Sequence, residues 1–466
     1  MSRQRPGTSP RPAAGPSHGH AAEVARWLAC LGLGAIFGID LYTRLDLSGS
    51  GALLIELGRW TALLGTYGSL LVLLLVARIP LLERQVGLDQ LVAWHRRLGP
   101  AVLVLIAAHV VLVTAGYASS EAVTYLSESW IFISTYPWLL PALAGFTLMV
   151  IAGLSSWRVA RRRMRYETWW VTHLYFYLAI ALAFVHQITL GQQFSAHAWA
   201  RWTWIGMYVI TGGALIVYRL GLPIVRSLRH DLRVHAIVRE SSDTVSVWVR
   251  GRNLAALDVR GGQFFGWRFL TGDHWWQSHP YSLSAGPDAR FLRITVKDLG
   301  DHSRSLARLK PGTRVIAEGP YGTFTADSRR SNRVVLLAGG VGVTPIRAVL
   351  DDLPKDVRAD VLYRAPRPEA LVLRKELDKI AATRPNVKVR YLVGNRHDYP
   401  IDARTLLWLV PDIATADLYT CGPIALVKAV REAARVLGIP AGRVHDEAFS
   451  FHSPDTYSFT TKTGSR

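Results

Sequence analysis

Six apolar stretches, each close to the ~20 residues that cross a bilayer's hydrocarbon core as a helix, fill most of the first half of this chain. They run near Ala22–Tyr42, Ala52–Val76, Leu98–Tyr117, Pro137–Trp157, Thr168–Leu190 and Trp202–Leu222. Buried helices of soluble proteins are usually shorter, so six in succession call for a lipid bilayer as partner. The connections alternate in charge. Arg3, Arg5 and Arg11 precede the first stretch, and Arg78, Arg84, Arg96 and Arg97 follow the second. Arg158, Arg161, Arg162, Arg163 and Arg165 follow the fourth, and Arg219, Arg226, Arg229 and Arg233 follow the sixth. Positions 118–136 and 187–200 contain no Lys or Arg. By the positive-inside rule both termini are expected in the cytoplasm. The formal charge of +20 is then largely a matter of topology. No basic–aromatic pattern accompanies it, and no nucleic-acid partner is expected. Two cysteines, Cys30 and Cys421, are too few for a disulfide framework, a zinc site or an iron–sulfur cluster. Residues 1–21, rich in Pro, Gly, Ser and Arg, are expected to form a disordered cytoplasmic tail, since no apolar core with a small-residue cleavage site marks a signal peptide.

Ligand-type side chains inside apolar spans are costly and point to function. The third span carries His95 and, fourteen residues on, His109; the fifth carries His173 and, thirteen residues on, His186. Both spans run outward, so His95 and His173 share an inner level and His109 and His186 an outer one, about 20 Å apart along the membrane normal. Two imidazoles per level, on different helices, suit a six-coordinate haem iron with no open position, as electron transfer requires. Fourteen residues return to within ~40° of the same helix face, whereas thirteen miss by ~140°. The fifth helix is therefore expected to bend, tilt or overwind. The alternative for these histidines is hydrogen bonding between packed helices.

Past Leu232 the pattern changes. Positions 235–250 read as two short strands around a polar turn. Further strands are expected at Gly262–Phe269, His279–Ser284, Phe291–Lys297 and Arg314–Glu318, making a small antiparallel barrel. From Arg333 strands alternate with Gly-rich turns and helices: Val334–Ala338, Ala359–Tyr363, Val387–Leu392 and Leu418–Thr420 are the expected strands of a parallel α/β layer. The run L-L-A-G-G-V-G-V-T-P-I-R (Leu336–Arg347) puts glycines where a strand ends and a helix begins, a place that favours a pyrophosphate, although a plain tight turn would use them too.

Several motifs together resemble the NADPH oxidase and ferric reductase superfamily, in which a ferric-reductase-like transmembrane domain is fused to a ferredoxin–NADP reductase-like module. H-P-Y-S-L-S (His279, Pro280, Tyr281, Ser282, Leu283, Ser284) is similar to its flavin signature. V-K-D-L-G-D-H-S-R-S-L is similar to the segment that holds the FAD pyrophosphate, which implies roles for Val296, Lys297, His302, Ser303 and Ser305. G-G-V-G-V-T-P (Gly339, Gly340, Val341, Gly342, Thr344, Pro345) and C-G-P (Cys421, Gly422, Pro423) resemble the paired nicotinamide-nucleotide motifs, with Cys421 beside the nicotinamide. H-D-E-A-F-S-F resembles the family ending whose aromatic stacks on the flavin, here Phe451 or Phe449, although residues 452–466 follow it. Arg364, at the end of the second nucleotide-domain strand, stands where the family binds the 2′-phosphate of NADP; a surface arginine is the alternative. The fourteen and thirteen spacing of the histidines matches the family's haem pattern.

The resemblance implies a multi-domain chain: a six-helix transmembrane haem-binding bundle (22–225), an antiparallel β-barrel FAD domain (230–327), an α/β nucleotide-binding domain with a parallel sheet (330–452) and a C-terminal tail (453–466). The expected cofactors are FAD, two b-type haems and NADPH, with NADH as the alternative. Electrons would pass from cytoplasmic NAD(P)H through FAD and the haems to an acceptor on the outer face, either oxygen, giving superoxide, or a ferric chelate. A competing reading is an electron-donating membrane subunit that reduces a quinone or a docked protein.

Overall fold

The computed structural model describes residues 49–449, except positions 162, 165, 273, 274, 276 and 396, together with a few positions between 23 and 38. The first expected span, Ala22–Tyr42, falls largely outside the described residues, as do Phe451 and the tail 453–466. Among the described residues five helices are long and apolar enough to cross a membrane: Ala52–Leu75, Gln90–Ser120, Leu139–Ser156, Thr168–Leu190 and Ala198–His230.

The membrane half consists of α1 (Ala52–Leu75), a short α2 (Pro80–Val86), α3 (Leu88–Ser120), α4 (Tyr125–Thr135), α5 (Leu139–Ser156), α6 (Tyr166–Leu190) and α7 (Ala198–Ala214). A π-helical turn, Leu215–Gly221, leads into α8 (Leu222–His230). α3 begins ten residues before the expected apolar stretch, so His95 lies two turns inside it, and Pro100 is accommodated within the helix. α6 is unbroken, so the thirteen-residue spacing is absorbed in one continuous helix.

Glycines set how closely these helices approach. A Cβ on Gly58 of α1 would lie 2.5 Å from Val113 of α3, and one on Gly145 of α5 would lie 2.7 Å from the Ala179 carbonyl oxygen of α6. Small residues let backbones meet where lipid supplies no hydrophobic drive between helices. α3 thus lies along α1, and α6 along α5, while α3 and α6 themselves meet with almost no backbone contact.

The expected barrel strands form two three-stranded antiparallel sheets. β1 (Arg233–Ser241), β2 (Thr244–Arg250) and β5 (Phe291–Lys297) make one, in the order β1-β2-β5; β3 (Phe264–Phe269), β4 (His279–Ser282) and β6 (Val315–Tyr321) make the other, in the order β4-β3-β6. Their inward side chains, among them Val247, Phe265, Trp267 and Ile294, form one buried core. A one-turn helix, α9 (Asp301–Leu306), follows β5.

The last domain is a five-stranded parallel sheet of β7 (Arg333–Gly339), β8 (Arg358–Ala365), β9 (Val387–Val393), β10 (Asp417–Pro423) and β11 (Val444–Phe449), in the order β11-β10-β7-β8-β9. β11 is a strand that periodicity did not suggest. The helices α10 (Val343–Asp352), α11 (Arg374–Thr383) and α12 (Ile424–Val436) flank the sheet. The fully buried Val334, Leu336, Val361, Tyr363 and Tyr419 show why the strands read as continuous apolar runs, since this sheet is covered on both faces. Strand order reverses between β7 and β10, and in such sheets ligands bind outside the carboxyl ends at that point.

Candidate functional site

The inner histidines meet across the gap between α3 and α6. The ring centroids of His95 and His173 are 6.1 Å apart, at an interplanar angle of 66°. Metal–imidazole bonds run about 2 Å, so two rings on one ion have centroids roughly 6 Å apart. The pair is therefore spaced as two ligands of a single metal would be. His95 Nδ1 lies 3.0 Å from the Val72 carbonyl of α1, and His173 Nδ1 lies 3.1 Å from Ser156 Oγ of α5. Such contacts hold an imidazole in orientation through Nδ1 and leave Nε2 available to a metal. Trp169 stacks on His173 at 5.1 Å and donates through Nε1 to the same Ser156 hydroxyl.

The outer pair is built similarly on one side. His109 Nδ1 lies 2.9 Å from the Gly58 carbonyl of α1. His186 Nδ1, on α6, is buried without a hydrogen-bond partner. In α1, Arg59 and Glu56 form an ion pair that straddles Gly58. Neither had been marked in the sequence as a site residue; ionisable residues in a span are the signal that could have found them. Ser156 and Trp169 carried no such signal.

The barrel packs against the start of the helix that carries His95. In register across the β4-β3-β6 sheet stand Ser282, Phe264 and Tyr321. Phe264 and Tyr321 pack on Leu88 and Val92 at the start of α3, the helix that carries His95. Arg226 donates to the Gly319 carbonyl at 2.9 Å, the Ser227 hydroxyl accepts from the Ala317 amide at 3.1 Å, and Arg219 donates to the Val76 carbonyl at 3.0 Å. The Arg78 guanidinium lies over the Tyr321 ring and 3.6 Å from Glu83, too far for a hydrogen bond. Burial pushes the Glu83 carboxyl up to about 7, against the pull of Arg78.

Within the flavin-type signature, His279, Pro280 and Tyr281 are half-buried, whereas Ser282, Leu283 and Ser284 are buried. His279 and Tyr281 stack at 6.3 Å. The Ser284 hydroxyl is held from inside the barrel by Arg293 and Thr295. In the second segment, Val296 is buried, Lys297 pairs with Asp243 at 3.2 Å, and Ser303 caps its turn by accepting from the Leu299 amide. Ser305 lies in the same one-turn helix as Ser303; the side chain of His302 lies outside what is described.

At the switch point of the parallel sheet the two glycine motifs come together. Gly340 has φ +57°, a left-handed conformation that glycine adopts without steric cost. A Cβ on Gly342 would lie 2.1 Å from the Cys421 carbonyl oxygen, and one on Gly339 would press on Pro423 at 3.0 Å. Glycine is thus what allows the two turns to meet. The Thr344 hydroxyl closes the first turn by donating to the Val341 carbonyl at 2.9 Å, and Pro345 continues α10. Gly422 backs onto Gly339, and Arg364 stands at the carboxyl end of β8, paired with Gly339. Cys421 is fully buried, and burial pushes its thiol well up, reinforced by Glu447 and Asp446. A thiol so placed stays protonated. Glu447 is opposite Cys421 in the β10–β11 register, and the Ser282 hydroxyl donates to its Oε2 at 3.5 Å. Ser282, Glu447 and Cys421 therefore converge where the barrel meets the sheet. Glu447 stood unremarked within the H-D-E-A-F-S-F run.

Residues 61–184 match the family model of the ferric reductase like transmembrane component, and residues 336–432 match that of the oxidoreductase NAD-binding domain. This chain joins a ferric-reductase-like transmembrane component to an oxidoreductase NAD-binding module. The first match falls on helices long and apolar enough to cross a membrane, and the second on the parallel sheet with its glycine turns. Among curated relatives, the flavohemoprotein of Chromobacterium violaceum is 30% identical over 46% of this chain and 59% of its own length. The glycine betaine monooxygenase reductase subunit of Chromohalobacter salexigens is 26% identical over 47% of this chain and 64% of its own. The chain thus spans less than two thirds of either relative. Among solved structures, the FAD/NAD-binding domain of nitric oxide dioxygenase from Vibrio cholerae is 24% identical over 47% of this chain and 97% of that domain, with a TM-score of 0.41.

Proposed function

We propose that the protein carries electrons from cytoplasmic NAD(P)H, through an FAD held on the barrel, to two haems ligated by His95/His173 and His109/His186, and on to oxygen or a ferric chelate at the outer face. FAD, when bound, supplies the conversion of two-electron hydride chemistry into one-electron steps, and the haems supply one-electron carriers within the membrane. The observation that carries this reading is the inner pair: two imidazoles 6.1 Å apart on helices that scarcely touch, with Nδ1 of each engaged by a carbonyl or hydroxyl.

The chain's own residues do the positioning. The turn is open at Gly340, where a nucleotide's pyrophosphate would meet the start of α10 and its backbone N–H groups, which favour an anion. Arg364 stands where a 2′-phosphate would be met, which favours NADPH over NADH. Ser282 and Glu447 bring a hydroxyl and a carboxylate to the flavin side of the junction, while Cys421 fills the space behind them. The half-buried His279–Tyr281 strand offers the isoalloxazine a flat aromatic surface, and α9 with Ser303 and Ser305 offers its pyrophosphate a turn. Phe264, in register with Ser282 and packed on Leu88, ties the flavin strand to the helix of His95, seven residues or about 10 Å along that helix.

Visible absorbance of the detergent-purified protein, recorded anaerobically before and after NADPH or NADH, tests the proposal. Six-coordinate haem bands that NAD(P)H reduces are expected, and His109→Ala or His186→Ala should each remove one haem's worth while sparing the other. Flavin absorbance with no haem bands in the unaltered protein would overturn the electron route.

A further inference from the structure

A buried guanidinium bridges the barrel and the nucleotide domain. Arg293 lies in the middle of β5, only 3% exposed, with its guanidinium 5.0 Å over the Trp248 ring. Its Nε donates to Ser284 Oγ at 3.0 Å, and its Nη2 donates to the Ser284 carbonyl at 2.5 Å. On its other side, Nη1 and Nη2 donate to the two carboxylate oxygens of Glu376, in α11 of the nucleotide domain, at 2.6 and 2.9 Å. All three guanidinium nitrogens are engaged. One charge thus holds the last residue of the flavin-type signature and a helix of the neighbouring domain together.

The connection continues in both directions. Inside the barrel, Thr295 donates to Ser284 Oγ at 2.7 Å, and Ser246 joins Thr295 at 2.8 Å. In the nucleotide domain, Arg347 lies 2.7 Å from Glu376 and also pairs with Asp351, whose carboxylate accepts from the Gly286 amide of the barrel at 3.0 Å. Burial works to raise the Glu376 carboxyl, but Arg293 and Arg347 override it and hold it below the ordinary range. Arg347 and Asp351 both lie on α10, the helix that opens at the Gly339–Gly342 turn. A single polar path therefore runs from the nucleotide turn, along α10, through Glu376 and Arg293, to the strand that bears Ser282. A network that needed only to hold the domains together could sit anywhere on their interface; this one begins and ends on the two segments that would present nicotinamide and flavin to each other.

We propose that Arg293 is a positioning residue for hydride transfer: by bonding Ser284 and Glu376 together it fixes the nucleotide domain against the flavin strand at the donor–acceptor distance. The proposal rests on the reading that NAD(P)H reduces a flavin on this barrel, and needs neither haem nor a particular final acceptor. Guanidinium is required because only a planar fork can be bidentate to a carboxylate while a third nitrogen bonds elsewhere; an ammonium cannot replace it.

The test is anaerobic stopped-flow reduction of the flavin in the full-length, detergent-solubilised protein, with NADPH and NADH and their 4-deuterated forms. Two variants are compared with the unaltered protein: Arg293→Lys, and Glu376→Gln, which leaves the Arg293–Ser284 bonds in place should the buried lysine fail to fold. Both are expected to keep a full complement of FAD and near-unchanged half-saturation by nucleotide. The limiting rate of flavin reduction should fall about tenfold or more, the loss that a small misplacement of reacting atoms produces, and the deuterium isotope effect should rise as hydride transfer itself comes to limit the observed rate. The double variant should be no slower than the slower single one, because both cut the same link. Glu376→Gln reducing its FAD at the unaltered rate would overturn the proposal, as would a rate loss traced wholly to lost FAD or weakened nucleotide binding. An unaltered protein whose bound flavin neither nucleotide reduces would instead remove the underlying reading, and the proposal with it.

Discussion

The two halves of this molecule hold their functional residues by opposite means. In the nucleotide domain, turns and strands are fixed by a dense core in which Val334, Leu336, Val361 and Tyr363 are wholly buried. In the membrane half His95 and His109 are held by backbone, the Val72 and Gly58 carbonyls on α1, and His173 by the Ser156 hydroxyl, on helices whose close approaches only glycine permits. A packed core is damaged by taking volume away, whereas helices meeting at glycine are damaged by adding it.

That contrast can be broken by experiment. The largest effect is expected for Leu336→Ala, which opens a cavity in the middle of the parallel sheet and should cost about 2–5 kcal/mol, read as a lower melting temperature of the purified protein. Gly145→Val should cost about 1–3 kcal/mol, because its branched side chain meets the Ala179 carbonyl and pushes α5 off α6. Leu154→Ala, also on α5 but 58% exposed in the described chain, should leave stability nearly unchanged. If Gly145→Val melts like the unaltered protein, backbone approach does not set the position of α6, and the comparison fails.

Ser156→Ala sharpens the contrast on the membrane side. It removes the hydroxyl beside His173 Nδ1 without touching the ligand, and on the proposed function should weaken inner-haem retention by roughly tenfold, measured by haem loss to a scavenger. A pH-dependent effect belongs to the seam between the halves. Glu83 is raised to about 7 from an ordinary value of 4.5. The folded protein therefore holds a proton that the unfolded chain has released between those values, and the stability this group contributes is present below pH 4.5 and lost as pH rises through 7. Melting temperature should fall across that window, and Glu83→Gln should flatten the dependence; an identical slope in the variant would place its cause elsewhere.

The legibility of each half followed from how local its signals are. Span length, histidine spacing and loop charge are all written within one helix or loop. The barrel strands fell close to where alternation and Gly/Pro punctuation put them, with Phe291–Lys297 matched at both ends and the last strand running on past Glu318 to Tyr321, and the glycine turn at Gly339–Gly342 proved to be a close approach as well as a turn. β11 escaped because V-H-D-E-A-F mixes charge into a half-buried strand at the edge of the sheet, and α3 began early because its first two turns are amphipathic, below the apolar stretch that marks the span.

By itself the sequence determined that half of the chain seeks lipid, that four histidines stand at two levels, and that a barrel precedes a nucleotide-type sheet. These follow from periodicity and turn chemistry, which act over a few residues. Only the tertiary structure decided which groups hold those residues in place. Gly58 reaches His109 across 51 positions, Arg293 reaches Glu376 across 83, and Ser282 reaches Glu447 across 165. Hydrogen-bond partners so far apart leave no local pattern, because directional bonds depend on how helices and sheets dock, and docking is settled by the packing of the whole chain.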